Sequence, residues 1–203
     1  MYHLVHVPDG TLTVVEGQAR SALLGRVVGH LRRQGLAGQS LREIAAAVGT
    51  SHRMLVYHFG SRDGLLSAVV EEVERQEQAR AADVGAVDPE HALEAIWSAV
   101  SSPDRADEER LFFELMASAM RATPGTEVLA SRAVDPWLEV GAELAGQLGA
   151  DRDAARVLTR LDIAVVRGLL HDLLVTGDRE EVERAFRLFA GWQRAALAVG
   201  QPQ

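Results

Sequence analysis

From residue 16 to its end this 203-residue chain reads as helix after helix, most opened by a capping side chain, and that punctuation admits an all-α fold and little else. A first helix over about 16–34 places Leu23, Val27, His30 and Leu31 on one face and stops at Gly35. The second opens at Ser40 with Glu43 three residues on, a capping box in which each side chain satisfies an otherwise orphan backbone donor, and it runs to Val48. Gly49 breaks it, Ser51 opens a short third helix to about His58, Gly60 ends that one, and Ser61 opens a long fourth to about Ala82. Asp88 and Pro89 start a fifth to about Ser101, and Asp104 a sixth to about Arg121. A seventh over about 126–148 carries Pro136 inside it, which predicts a kink. Asp151 opens an eighth that Gly177 ends, and Asp178 with Glu181 opens a ninth to about Val199. Residues 1–15 differ: Leu4–Val7 and Thr11–Val15 are β-rich and flank Pro8-Asp9-Gly10, which predicts a small hairpin or, because an isolated hairpin is marginal in water, a disordered extension.

Composition removes whole classes of chemistry. Without cysteine there is no disulfide, thiolate metal site or thiol nucleophile. All 21 basic residues are arginine, so P-loop, Schiff-base and serine-lysine chemistries, which need a lysine amine, are excluded. No Gly-x-Ser-x-Gly, His-Glu-x-x-His or glycine-rich phosphate loop occurs, and His3 with His6 makes only a weak metal pair; neither catalysis nor a cofactor is expected. The N-terminus shows no basic region followed by an apolar run, and no stretch reaches about 18 apolar residues. No membrane span is expected, and the cytoplasm is the expected compartment.

The net charge of −8 is unevenly spread: residues 17–64 carry +5 and residues 65–203 carry −11. A basic segment joined to an acidic remainder suits a DNA grip on a body that does not bind DNA. Within the basic segment, Leu41 to Gly60 has the parts that two helices meeting at a steep angle require: small Ala45 at the contact, Gly49 in the turn and Leu55 as apolar anchor, with Ile44 and Val48 on the inner face. The outer face of the second helix, with Ser51, His52, Arg53, Val56 and Tyr57, is left free to enter a major groove. Arg53 is the candidate for reading sequence, since its planar fork pairs with guanine O6 and N7. Phe59 is assigned to the core.

Leu41-Arg42-Glu43-Ile44-Ala45, Val48-Gly49-Thr50-Ser51 and Tyr57-His58-Phe59-Gly60-Ser61-Arg62-Asp63-Gly64-Leu65-Leu66 closely resemble the DNA-binding signature of the TetR family of regulators. The resemblance implies a homodimer of nine-helix subunits. In each, helices 1–3 bind DNA, helix 4 links them to a C-terminal body, and a ligand in that body releases the DNA. It implies that Ser51, His52 and Arg53 reach the groove, that Tyr57 and His58 contact phosphates, and that Arg62 stands where the family commonly has lysine. Met54 stands where a phosphate-contacting threonine is frequent, and Val56 where an aromatic is common. With Arg42 and Thr50, the candidate DNA-contacting set is Arg42, Thr50, Ser51, His52, Arg53, Tyr57, His58 and Arg62.

The expected organisation is an N-terminal extension over 1–15, a helix-turn-helix domain over 16–64, and a ligand-sensing and dimerising domain over 65–203. Expected partners are double-stranded operator DNA, a small-molecule effector and a second copy of the chain. The dimer surface is expected on the last two helices, at Leu170, Leu173, Leu174, Phe186, Phe189 and Trp192. The scarce aromatics and methionines suggest a ligand cavity among the fifth to eighth helices, with Trp97, Phe113, Met116, Met120, Trp137, Arg167 and His171 as candidates. Phe112 belongs to the same group, and Asp162 and Asp172 join Arg167 and His171 as polar groups available to orient a ligand. Repression is the expected mode. The competing readings are a helical module for protein contact and a small helical enzyme.

Overall fold

The computed structural model describes residues 9–85 and 88–199, and among them the chain is all-α. The helices are α1 (Asp9–Gln34), α2 (Leu41–Ala47), α3 (His52–Phe59), α4 (Arg62–Gly85), α5 (Ala92–Val100), α6 (Ala106–Met120), α7 (Glu127–Arg132), α8 (Asp135–Gln147), α9 (Arg152–Thr176) and α10 (Arg179–Val199). Most caps are made by the expected side chains, but Asp104 does not open α6: it lies inside a short turn over Pro103–Arg105, and α6 begins after Arg105 without a side-chain cap. Ser40 accepts from the Glu43 amide at 3.3 Å while Glu43 accepts from the Ser40 amide at 2.7 Å. Hydrogen bonding to its carboxylate from the Ser40 side chain first, and from the Ser40 amide second, holds the Glu43 carboxyl below its ordinary range. Ser51 accepts from Met54 N at 3.2 Å, Ser61 from Gly64 N at 3.0 Å, and Asp151 from Asp153 N and Ala154 N.

Two further expectations are corrected. Residues 11–15 belong to α1, which starts at Asp9, and form no strand of a hairpin; the other expected strand lies outside the described residues. The valines and threonines there cost a helix only some tenths of a kcal/mol each, too little to stop one that continues into a well-packed stretch. The expected seventh helix is two helices, α7 and α8, which brings the number of α-helices among the described residues to ten. Pro136 sits in the first turn of α8, where its missing amide costs nothing, because in a helix interior its ring would strike the carbonyl four residues back.

The main core runs across the basic and acidic parts of the chain without interruption. Leu23, Val27 and Leu31 of α1, Ile44 and Ala45 of α2, Leu55 and Phe59 of α3, and Leu65, Leu66 and Val69 of α4 bury one another together with Leu111 and Leu115 of α6 and Leu129 of α7. A second core joins α5, α9 and α10 through Leu93, Trp97, Val166, Leu170, Leu173, Val182 and Phe186. Phe113 of α6 packs against both.

Polar contacts reinforce the junction of head and body. Arg32 of α1 bonds Gln76 of α4 and pairs with Glu108 of α6 at 2.5 Å, and Glu108 also pairs with Arg80 of α4. The amide of Leu36, just past α1, donates to the Glu114 carboxylate of α6 at 2.5 Å. The turn between α6 and α7 rests on the first turn of α4. Gly125 there has φ +89°, and a Cβ on it would lie 2.5 Å from the Asp63 carbonyl oxygen.

Gly125→Ala is therefore expected to cost about 2 kcal/mol or more, since strain and collision add. Gly38→Ala, at φ +74° with open space around it, is expected to cost only about 1 kcal/mol. Urea denaturation of the two variants checks the difference.

Candidate nucleic-acid interface and body cavity

The turn from α2 to α3 is tight because Gly49 takes φ +69° and the Thr50 amide returns to the Ala45 carbonyl at 2.9 Å. Leu55 and Phe59, one turn apart on α3, enter the core. That pins the helix by one side and turns Ser51, His52, Arg53, Met54, Val56 and Tyr57 outward, all of them exposed. Tyr57 is 65% exposed and Met54 41%, so this rod offers large apolar surface to the outside along with its polar groups. Thr50 and His58 are half-buried at its two ends, with the His58 ring edge-on to Tyr57. Arg42 on the first turn of α2 and Arg62 at the start of α4 are exposed.

Two arginines of the basic segment act differently from a phosphate-seeking charge. Arg26 of α1 donates through Nε to the Val48 carbonyl at the end of α2, at 3.2 Å. Arg20 donates to the His58 carbonyl near the end of α3 at 3.3 Å and lays its guanidinium over the Phe59 ring, 5.0 Å from the centroid. Each answers carbonyls that the end of a helix leaves unsatisfied and meets the negative end of its dipole. Charge counting does not separate these braces from the outward arginines; only their position on α1 relative to the two helix ends does.

In the body, the end of α4 and helices α5, α6, α8, α9 and α10 surround a cavity of about 400 Å³. Phe113, Trp137 and Arg167 line it, with Phe112 beside them, as do Asp162, Val166 and Gln193. The remaining sequence candidates lie elsewhere. Trp97 is core: it stacks on Phe186 with centroids 4.8 Å apart and donates to the Glu183 carboxylate at 3.1 Å. Met116 packs against the head core, and Met120, the last residue of α6, is 80% exposed. His171 is exposed and meets the Phe113 ring edge-on, and Asp172 is exposed too.

Polar groups of the cavity are mostly answered. Arg167 donates to the Ala133 carbonyl at 2.5 Å and covers the Phe112 ring, with Glu74 and Glu109 supplying negative potential against the burial that pulls its pKa down. Glu109, pushed up by burial, is paired with Arg105 at 2.8 Å. Asp162 has less. Its Oδ1 is buried without a hydrogen-bond partner, its Oδ2 is 3.5 Å from Gln193 Nε2, and burial pushes its pKa up to about 6.

The candidate dimer residues divide. Leu170, Leu173 and Phe186 are buried in their own subunit, since that stripe of α9 is covered by α5 and α10, and Leu174 and Phe189 are half-buried against it. Trp192 is 66% exposed. The outward face of α9 instead carries Val157, Leu161, Ala164, Gly168 and Val175, and that of α10 Ala185, Leu188, Trp192 and Ala195, all exposed and at alternating spacings of three and four apart from the longer step to Val175. The sequence hides this face because α9 is apolar on both sides.

Residues 30–69 match the family model described as bacterial regulatory proteins, tetR family. The chain carries a TetR-family DNA-binding domain. Solved structures share the TetR-type fold over most of its length. A transcriptional regulator from Rhodococcus sp. Rha1 superposes with a TM-score of 0.73 at 21% identity, covering 85% of this chain and 94% of its own. A TetR transcription regulator from Haloarcula marismortui gives 0.72 at 18% identity, covering 88% and 98%. The multidrug binding protein EbrR, complexed with imidazole, gives 0.60 at 21%, covering 92% and 91%. No curated protein matches the chain. No helix of the described residues is long and apolar enough to cross a membrane.

The raised pKa of Asp162 has a definite sign. Folding tightens its hold on a proton, so the carboxyl favours the fold below its ordinary 3.8 and loses that contribution as the pH rises through about 6. Asp162→Asn is expected to gain on the native chain by about 1 kcal/mol more at about pH 8 than at about pH 5, measured by urea denaturation at fixed protein concentration.

Proposed function

We propose that this chain is a ligand-responsive regulator of transcription, a repressor that binds a palindromic operator as a homodimer and leaves it when a small molecule enters the body. The observation that carries the reading is α3: a short helix anchored by Leu55 and Phe59 whose outer side exposes Ser51, His52 and Arg53. On this reading residues 16–64 are the reading head and residues 65–203 the sensing and dimerising body. Arg53 reads a base, with Ser51 and His52 beside it in the groove. Arg42, Thr50, Tyr57, His58 and Arg62 hold the phosphates on either side.

A single head reads too few bases to be selective, and pairing it by two-fold symmetry places two heads on half-sites about 34–36 Å apart. The exposed apolar faces of α9 and α10 support that pairing, because together they form a surface that a monomer would have to leave in water. The effector belongs in the body cavity, whose size fits a small organic molecule. EbrR, which shares the fold, is described as a multidrug binding protein. Entry of a ligand between α9 and the end of α4 would shift α4 and with it the head, through the core that the two share.

Fluorescence anisotropy with promoter DNA tests the DNA reading. The native chain is expected to bind with affinity that falls steeply as salt rises, and Arg53→Ala to lose about 10- to 100-fold on specific DNA. Arg62→Ala is expected to weaken all sequences alike and to lower the salt slope by about one. For the pairing, the double variant Leu161→Glu with Trp192→Glu is expected to sediment as a folded monomer at concentrations where the native chain is a dimer, and to bind the operator far more weakly.

A further inference from the structure

The cavity holds one group whose chemistry is unfinished. Among the charged side chains lining it, Arg194 pairs with Glu94, Glu77 with Arg80, and Glu109 with Arg105, while Arg167 is held by the Ala133 carbonyl and the Phe112 face. Glu90 and His91 are exposed to water, and His91 lies 3.3 Å from the Asp88 carboxylate. Asp162 alone among them has a buried oxygen, Oδ1, without a hydrogen-bond partner; its Oδ2 meets only Gln193, and among the described residues it forms no ion pair. A carboxylate buried without a partner costs several kcal/mol unless a cation or donor meets it. The same cavity is lined by Val166, Ile163, Phe113 and Trp137, and aromatic rings attract cations through their faces.

Resting on the reading of this cavity as the effector site, we infer that the effector is a protonated amine with an apolar body, its ammonium donating to the Asp162 carboxylate while Phe113, Trp137 and Val166 enclose the rest. A cavity of about 400 Å³ is large enough for a small amine with an aromatic body. Anionic effectors are disfavoured, because each lining arginine already has its own partner and Asp162 would repel them. A neutral molecule of the same shape gains the apolar contacts and leaves Oδ1 unanswered. The raised pKa of about 6 agrees with this: near neutral pH the group is charged at a cost that a bound cation removes.

The test compares phenylbutylamine, phenylbutanol and phenylbutyrate on the full-length chain by calorimetry at about pH 8, where amine and carboxylate are both ionised. The amine is expected to bind at least about tenfold more tightly than the other two, the ratio expected for one charge-assisted hydrogen bond. Asp162→Asn is expected to erase that advantage and leave phenylbutanol affinity within about twofold, whereas Asp162→Glu, which keeps the charge, retains the preference. Should Asp162→Asn not fold by circular dichroism, the ranking on the native chain decides. Equal affinities, or a preference for phenylbutyrate, would overturn the amine inference while leaving the cavity as a binding site. Failure of all three to bind would overturn both.

Discussion

The outward face of α3, on which the DNA reading rests, depends on the burial of Leu55 and Phe59. Removing each from water contributes about 1.5–3 kcal/mol, and because they sit one turn apart on an eight-residue helix, their burial fixes that helix in rotation as well as in place. Once they are inside, no freedom remains over which residues face out. Arg26 and Arg20 then finish the two helix ends from α1, so the segment that meets DNA on the proposed reading is rigid without any help from DNA. A preorganised reader loses less entropy on binding than one that must fold first.

The same core carries a second consequence. Its members come from α1 to α4 on one side and from α6 and α7 on the other, with Arg32, Glu108 and Arg80 bonded across the join. α4 is a wall of the head at one end and reaches the body cavity at Glu77 and Val84 toward the other. α9 is likewise shared, its inner face turned to the cavity and its outer face bare. A molecule in that cavity therefore touches both the helix that supports the reader and the helix proposed to meet the second copy. This is the arrangement that coupling between the sites requires.

The fold was legible because its signals are local. Ser40 with Glu43, Ser51, Ser61 and Asp151 each do in space what a capping residue does by chemistry, and α2 with α3 followed from Ala45, Gly49 and Leu55. Pro136 was legible as a disturbance but not as a full break, since kink and break differ only in how the surrounding helices pack. The body was harder. Trp97 and Trp137 carry the same signal in sequence, yet one is stacked on Phe186 and the other lines the cavity. Leu170 and Leu161 are both leucines on one long helix, and only the placement of α5 and α10 decides that the first is core and the second exposed. Asp162 was visible as a polar residue on an apolar helix, but that its Oδ1 is buried without a hydrogen-bond partner is a fact of three dimensions.

Selection of bound duplexes from a random DNA pool, using the native chain without effector at low salt, tests the central claim most directly. The account predicts enrichment of an inverted repeat whose half-sites lie about one helical turn apart, each with a guanine at the position Arg53 reaches. A pool that stays random through successive rounds, or one enriched in a single unrepeated site, would contradict it.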